Sequence, residues 1–267
     1  MRIITVSAVV TAIVLIVLLS GAALTSSVTD GSPLGDGSYR SYHRTGAWVA
    51  GMLAAIVALV ITAQRGTATA RILAWAGVGV FALEAILGLT SLRDGSAGIR
   101  IAHACLAPVF LSIMAAVTVM SGKPWSRLPD LVPDYGTPSM RTLSVVSPVL
   151  VMLQIAMGAA FRHQAMGVMP HILGAMLVAL FMMIAGAFAM QQFPTHATIR
   201  PAALWMLVIT GVQVMLGMTA FIMRMMSDTA SPSLIAATVA HVSTGALTLA
   251  ASVVLMVEIR RNVTPKT

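Results

Sequence analysis

The sequence predicts an all-α polytopic membrane protein, with eight transmembrane helices as two pseudo-repeated four-helix bundles. Three observations predict it. Hydrophobic residues make up 58% of the chain and charged residues only 9%, against roughly a quarter charged in a soluble domain. The apolar residues fall in runs close to the ~20 residues that cross a bilayer as a helix. Similar short words recur at matching places in the two halves.

The runs place spans at 3–24, 43–63, 72–91, 101–120, 142–160, 170–190, 202–223 and 234–257. In lipid every backbone polar group must be satisfied internally, which leaves helices or a closed barrel. The length of the runs and their lack of strict alternation exclude the barrel. Span one follows Met1-Arg2 and precedes Gly21-Ala22-Ala23, as in a secretory signal. Its apolar core is longer than the roughly 7–15 residues of such a signal, so it reads as a retained helix.

The net charge of +8 does not point to nucleic acid, because no Lys/Arg run or basic–aromatic interleaving is present. The charges report orientation instead. With the N-terminus inside, Arg2, Arg65, Arg71, Lys123, Arg127, Arg141, Arg200, Arg260, Arg261 and Lys266 fall on the inner side. Arg40, Arg44, Arg93, Arg100, Arg162 and Arg224 fall outside. This bias predicts two cytoplasmic termini. The lone cysteine, Cys105, offers no internal disulfide and no CxxCH attachment, and reads as a small apolar helix residue.

The longest inner loop, 121–141, is rich in Pro, Asp and Gly and divides the chain into an N-terminal half (1–120) and a C-terminal half (142–267). Glu84-Ala85-Ile86-Leu87-Gly88-Leu89-Thr90 in span three matches Gln213-Val214-Met215-Leu216-Gly217-Met218-Thr219 in span seven, and Gln154-Ile155-Ala156-Met157-Gly158 in span five is a further copy. His43-Arg44-Thr45-Gly46-Ala47 matches His171-Ile172-Leu173-Gly174-Ala175, and His241-Val242-Ser243-Thr244-Gly245-Ala246 repeats it with one insertion. Four helices per half make the repeat parallel rather than inverted. Gly and Ala spacing alone is common where membrane helices pack closely; the histidines make the repeat specific.

Four of the six histidines, His43, His103, His171 and His241, open the even-numbered spans. Each sits within the first two turns of a helix that starts at the outer face. Ionisable side chains at membrane depth are costly and mark function. A single one is more often a packing donor than a ligand; four in register, paired as His43 with His103 and His171 with His241, reverse that prior. Zinc draws on Cys or carboxylates or on three or four clustered ligands, and no acidic residue is expected beside these histidines. Copper stays open, because 20 Met are present, although scattered Met suits flexible core filling. Two neutral imidazoles from facing helices suit the axial positions of haem iron. The Gly-Ala after the histidines is expected to leave room for a flat macrocycle. Arg40, Arg44, Arg100 and Arg162 each lie within three residues of a histidine. Guanidinium pairs well with carboxylates such as haem propionates, while arginines at helix ends also simply snorkel.

At this point the chain resembles the haem A synthase family of cytochrome oxidase assembly proteins. The resemblance runs through His43-Arg44, the Leu87-Gly88-Leu89-Thr90 then His103 pattern, Leu153-Gln154 to Gly158, Arg162-His163 and His171. It continues through Val212-Gln213, Gly217-Met218-Thr219 and His241 with Gly245-Ala246. It implies a haem b bound by His171 and His241. His43 and His103 would flank the haem O substrate, whose methyl group is oxidised to a formyl, or would hold a second haem b. It also implies a bacterial-type inner-membrane location, lipid as surroundings, and other respiratory or assembly subunits as partners.

One departure matters. The family carries a glutamate three residues before the first histidine, where this chain has Arg40, and no acid precedes His43 more closely than Asp36. The loop between spans one and two also lacks the paired cysteines of some members. These departures favour an alternative: a non-synthase cytochrome b-type subunit that passes electrons through bis-histidine haem. A transporter has only the repeat in its favour. Glu84, the nearest intramembrane acid, reads as a hydrogen-bonded structural carboxyl or a proton relay; His163, in an outer loop, reads as solvated or as a cap on the haem edge, and His196 as an exposed loop residue.

Overall fold

The computed structural model describes residues 3–29, 38–64, 66–226 and 231–265. Arg2, Asp36, Arg65 and Lys266, which entered the charge reading and the comparison of acids near His43, lie outside the described residues. Among the described residues are eight α-helices: α1 (Ile3–Thr29), α2 (Ser38–Ala63), α3 (Ala68–Asp94), α4 (Ala97–Met120), α5 (Met140–Arg162), α6 (Val168–Gln192), α7 (Ile199–Met226) and α8 (Pro232–Asn262). From α2 to α8, all seven are long and apolar enough to cross a bilayer; the apolar stretch of α1, Ser7–Ala23, is shorter. The chain is therefore all-α, with the build of an integral membrane protein.

Local chemistry sets several ends. The Thr67 hydroxyl caps α3 by accepting from the Ala70 N–H (3.3 Å), and Ser231 caps α8 by accepting from the Leu234 N–H (3.2 Å), as side-chain oxygens do for orphan first-turn donors. Between α3 and α4 the chain turns sharply at Gly95, whose φ of 63° suits a residue without Cβ, and Ser96 then starts α4.

In the first half α1 packs on α2 and α4, and α3 packs on α2 and α4; in the second, α5 packs on α6 and α8, and α7 packs on α6 and α8. Helix α8 also touches α4 and α1, and α4 touches α5. Two buried apolar clusters result. One joins Val10, Val14, Ala54, Val57, Phe110, Leu111 and Met114 with Ala246 and Ala250 of α8. The other joins Met140, Val151, Met182, Ile199, Met206, Leu249 and Leu255. The methionines divide: Met114, Met140, Met182 and Met206 are fully buried, whereas Met52, Met176, Met215 and Met218 are exposed, so only some are core filler.

Segment 121–141 is bound along its length to the end of α8. Val132–Pro133 pairs in parallel with Val263–Thr264. The Trp125 indole N–H donates to Glu258 Oε1 (2.7 Å), and the Arg261 guanidinium stacks 4.4 Å from the Trp125 ring centre. His196, expected in a solvated loop, is buried at 7% exposure. Its Nδ1 accepts from the Thr198 and Ile199 N–H groups (3.3 and 3.2 Å) at the start of α7, so it stays inside as a helix cap.

Candidate functional site

Each of the four histidines is built into its hairpin in the same way. The preceding odd-numbered helix carries a glycine opposite the ring: Gly21 for His43, Gly88 for His103, Gly158 for His171 and Gly217 for His241. A Cβ at Gly21, Gly158 or Gly217 would stand 2.8, 2.9 or 2.8 Å from the Cε1 of its histidine, and one at Gly88 would stand 3.3 Å away. Real Cβ atoms do not approach so closely in the first three cases, so only glycine leaves room for the imidazole at that place on the neighbouring helix. The ring can then reach the residue one turn before the glycine.

That residue supplies the partner for Nδ1. His43 Nδ1 lies 3.1 Å from the Val17 carbonyl and 3.4 Å from Ser20 Oγ. His241 Nδ1 lies 3.3 Å from the Gln213 carbonyl. His171 meets the Gln154 carbonyl and also the Gln154 amide Nε2 at 2.9 Å, an amide that in turn donates to the His171 carbonyl (2.8 Å). His103 meets the Glu84 carboxylate as well as the Glu84 carbonyl. A ring that donates through Nδ1–H to a carbonyl, as His43 and His241 are placed to do, keeps its lone pair on Nε2, whereas the Gln154 amide presents an N–H donor to His171 Nδ1; in each case a partner at Nδ1 fixes the ring's orientation.

The histidines then meet in two pairs across the helices. His43 and His103 have ring centres 6.2 Å apart with planes at 86°, and His171 and His241 have centres 6.3 Å apart with planes at 83°. A ligating imidazole nitrogen lies about 2 Å from its metal and roughly 1.1 Å from its own ring centre, so two rings on opposite sides of one ion stand about 6 Å apart. Both pairs have that spacing. Among the described residues no group of three or more His, Cys, Asp or Glu side chains could hold a metal ion.

The structure corrects four sequence expectations at the site. An acid does adjoin the histidines in space: Glu84, 8% exposed, reaches His103 from α3. The glycines after the histidines do not open a slot, because their near sides are filled. A Cβ at Gly46 would be 2.8 Å from Val17 Cγ2, at Gly174 2.6 Å from Gln154 Oε1, and at Gly245 3.0 Å from Gln213 Nε2. His241 lies in the third turn, since α8 starts at Pro232. His163 is half-buried at the end of α5, where its N–H bonds to the Ala159 carbonyl (2.9 Å). Burial, then Arg162, Arg100 and His103, lower its pKa to about 4.

The arginines separate into two kinds. Arg100, bonded to the Gly95 carbonyl, and Arg162, whose Nη2 donates to the Ala22 carbonyl of α1 (2.5 Å), gather near His163. Arg40 and Arg44 are exposed at the start of α2. The residues the sequence reading missed are Val17 and Gly21, the α1 copy of the pattern seen in α3, α5 and α7. The only signal is a glycine four residues after the carbonyl that matters. No family model matches the chain, and no curated protein matches it.

Proposed function

We propose that this chain is a haem-binding membrane oxidoreductase of the haem A synthase type. The supporting observation is the pair of imidazole pairs at 6.2 and 6.3 Å, each ring held at Nδ1 by the neighbouring helix. Two imidazoles leave the other coordination positions to a group the chain does not supply, and haem would suit that role, held by His43 and His103 or by His171 and His241. The two halves, 1–120 and 142–267 with 121–141 between them, are read as pseudo-repeats, because all four hairpins share one glycine–histidine arrangement.

In this reading His171 and His241 hold a haem b, and His43 and His103 flank haem O or hold a second haem. Bound haem would supply the one-electron chemistry of its iron. The residues orient the ligands, and the small, apolar surroundings keep water out. Arg100 and Arg162 suit propionates at the outer edge, with Arg40 and Arg44 as more exposed partners. Both termini lie in the cytoplasm of a bacterial-type inner membrane, and other respiratory or assembly subunits are the expected protein partners.

A second reading has one observation in its favour. Arg40 stands where haem A synthases carry glutamate, and it is exposed at the start of α2. The chain would then be a non-synthase cytochrome b subunit transferring electrons between partners. Pyridine haemochrome analysis of membrane-purified wild type, His43→Ala and His241→Ala separates these. Absence of haem from the wild type removes both readings. Haem A formation in cells with no other synthase supports the first, and two b-type haems with no haem A support the second.

A further inference from the structure

The four Nδ1 partners are not equivalent. His43, His171 and His241 meet carbonyl or amide groups, whereas His103 meets the carboxylate of Glu84. Glu84 occupies the hairpin position held by Val17 in α1, Gln154 in α5 and Gln213 in α7, one turn before the glycine, and is the one carboxylate among the four. It is 8% exposed, and its Oε1 is buried with no hydrogen-bond partner. Its Oε2 reaches His103 Nδ1, so an ionised Glu84 would set its charge against that ring.

A carboxylate accepting from Nδ1–H draws the proton away and makes the ring a stronger electron donor through Nε2. A stronger donor favours the more highly charged metal, and ligand hydrogen bonding is one of the levers that set iron potentials. The effect is larger away from water, where charges are poorly screened. We propose that Glu84 is a positioning residue that sets the one-electron reduction potential of iron held by His43 and His103 below that of iron held by His171 and His241. The inference rests on the haem reading above. Arg100 and Arg162, which act with His103 on His163, are unchanged by substitution at Glu84.

The test is an optical redox titration of the purified full chain after addition of haemin, with haem content measured by pyridine haemochrome. Two one-electron components are expected, the lower one absent in His43→Ala. Glu84→Gln is expected to keep its haem and to move the lower component upward by at least tenfold in equilibrium constant, about 59 mV for one electron. Gln213→Glu, which places the carboxylate in the other pair, is expected to lower the higher component, and it carries the test if Glu84→Gln does not fold. Coincident wild-type components, or a Glu84→Gln titration with neither or both components moved, overturn the proposal. So does a wild type that takes haem only at His171 and His241. A wild type that binds no haem at all sinks the haem reading itself, whereas two loaded pairs with no shift sink only the role of Glu84.

Discussion

Asp134 and His163 show how single polar residues are settled near the two ends of the bundle. The Asp134 carboxylate accepts from Ser139 Oγ (2.6 Å), from the N–H groups of Gly136, Met140 and Arg141 (3.3, 3.2 and 3.3 Å), and from Gln192 Nε2 (3.2 Å). It thereby serves the orphan donors that open α5. Burial alone would raise its pKa, but the Ser139, Met140, Arg141 and Gln192 donors outweigh burial and hold it below its ordinary value. A depressed carboxylate stabilises the fold above its unfolded pKa and loses that contribution as pH falls through the folded one. Asp134→Asn is expected to cost about 1–3 kcal/mol at neutral pH, read as a lower melting temperature, with the gap to wild type closing below about pH 4. His163 acts in the same direction at higher pH, by being held neutral rather than charged. Its pKa falls from 6.5 to about 4 through burial, Arg162, Arg100 and His103, so between those values the unfolded chain binds the extra proton. Stability should therefore drop as pH falls from 6.5 to about 4. His163→Gln should flatten that part of the melting profile, and an unchanged slope would refute the assignment.

At the scale of the element, the working unit is a hairpin in which a glycine on one helix admits an imidazole from the next. Helix α7 supplies its own control. A Cβ at Gly217 would stand 2.8 Å from Cε1 and 3.1 Å from Nδ1 of His241, while one at Gly211 meets nothing within 4 Å. On the haem proposal, Gly217→Ala should weaken haem retention by tenfold or more, about 1.4 kcal/mol, whereas Gly211→Ala should retain haem as the wild type does; haem per protein during dilution distinguishes them. Much of this unit is legible in the chain. The glycines in α3, α5 and α7 appear as repeated words, and the histidines open the even helices. The α1 copy is hidden because Val17 acts through its backbone carbonyl, which no side chain announces. Glu84 is visible as an intramembrane acid, but its contact with His103 depends on how α3 turns against α4. The glycines after the histidines mislead for a related reason: close packing and an open slot demand the same residue. His196 misleads because a histidine in a short loop can be either solvated or a buried cap, and only the fold decides.

At the scale of the whole molecule, the histidines and the polar clamp on segment 121–141 lie at opposite ends of the helices. Glu258 follows His241 by 17 residues on α8, about 25 Å along the axis at 1.5 Å per residue. Glu258 is 3% exposed. It accepts from Trp125 Nε1 at one oxygen (2.7 Å), and from Thr198 Oγ1 (2.6 Å) and Asn262 Nδ2 (3.1 Å) at the other. It thus joins the segment after α4, the start of α7 and the end of α8. Arg261 reinforces the joint by donating to the Pro124 and Arg127 carbonyls (3.0 and 2.6 Å). An amide in place of the carboxylate turns one acceptor into a donor facing donors, and each buried donor left unpaired costs about 1–3 kcal/mol. Glu258→Gln should therefore lower the melting temperature of the detergent-purified protein while its haem content at 25 °C stays that of the wild type. Gly217→Ala should give the reverse order, losing haem before it loses thermal stability. If Glu258→Gln instead sheds haem at 25 °C in proportion to its loss of stability, the clamp and the histidine pairs form one cooperative unit, and the separation of a structural end from a ligand-binding end fails.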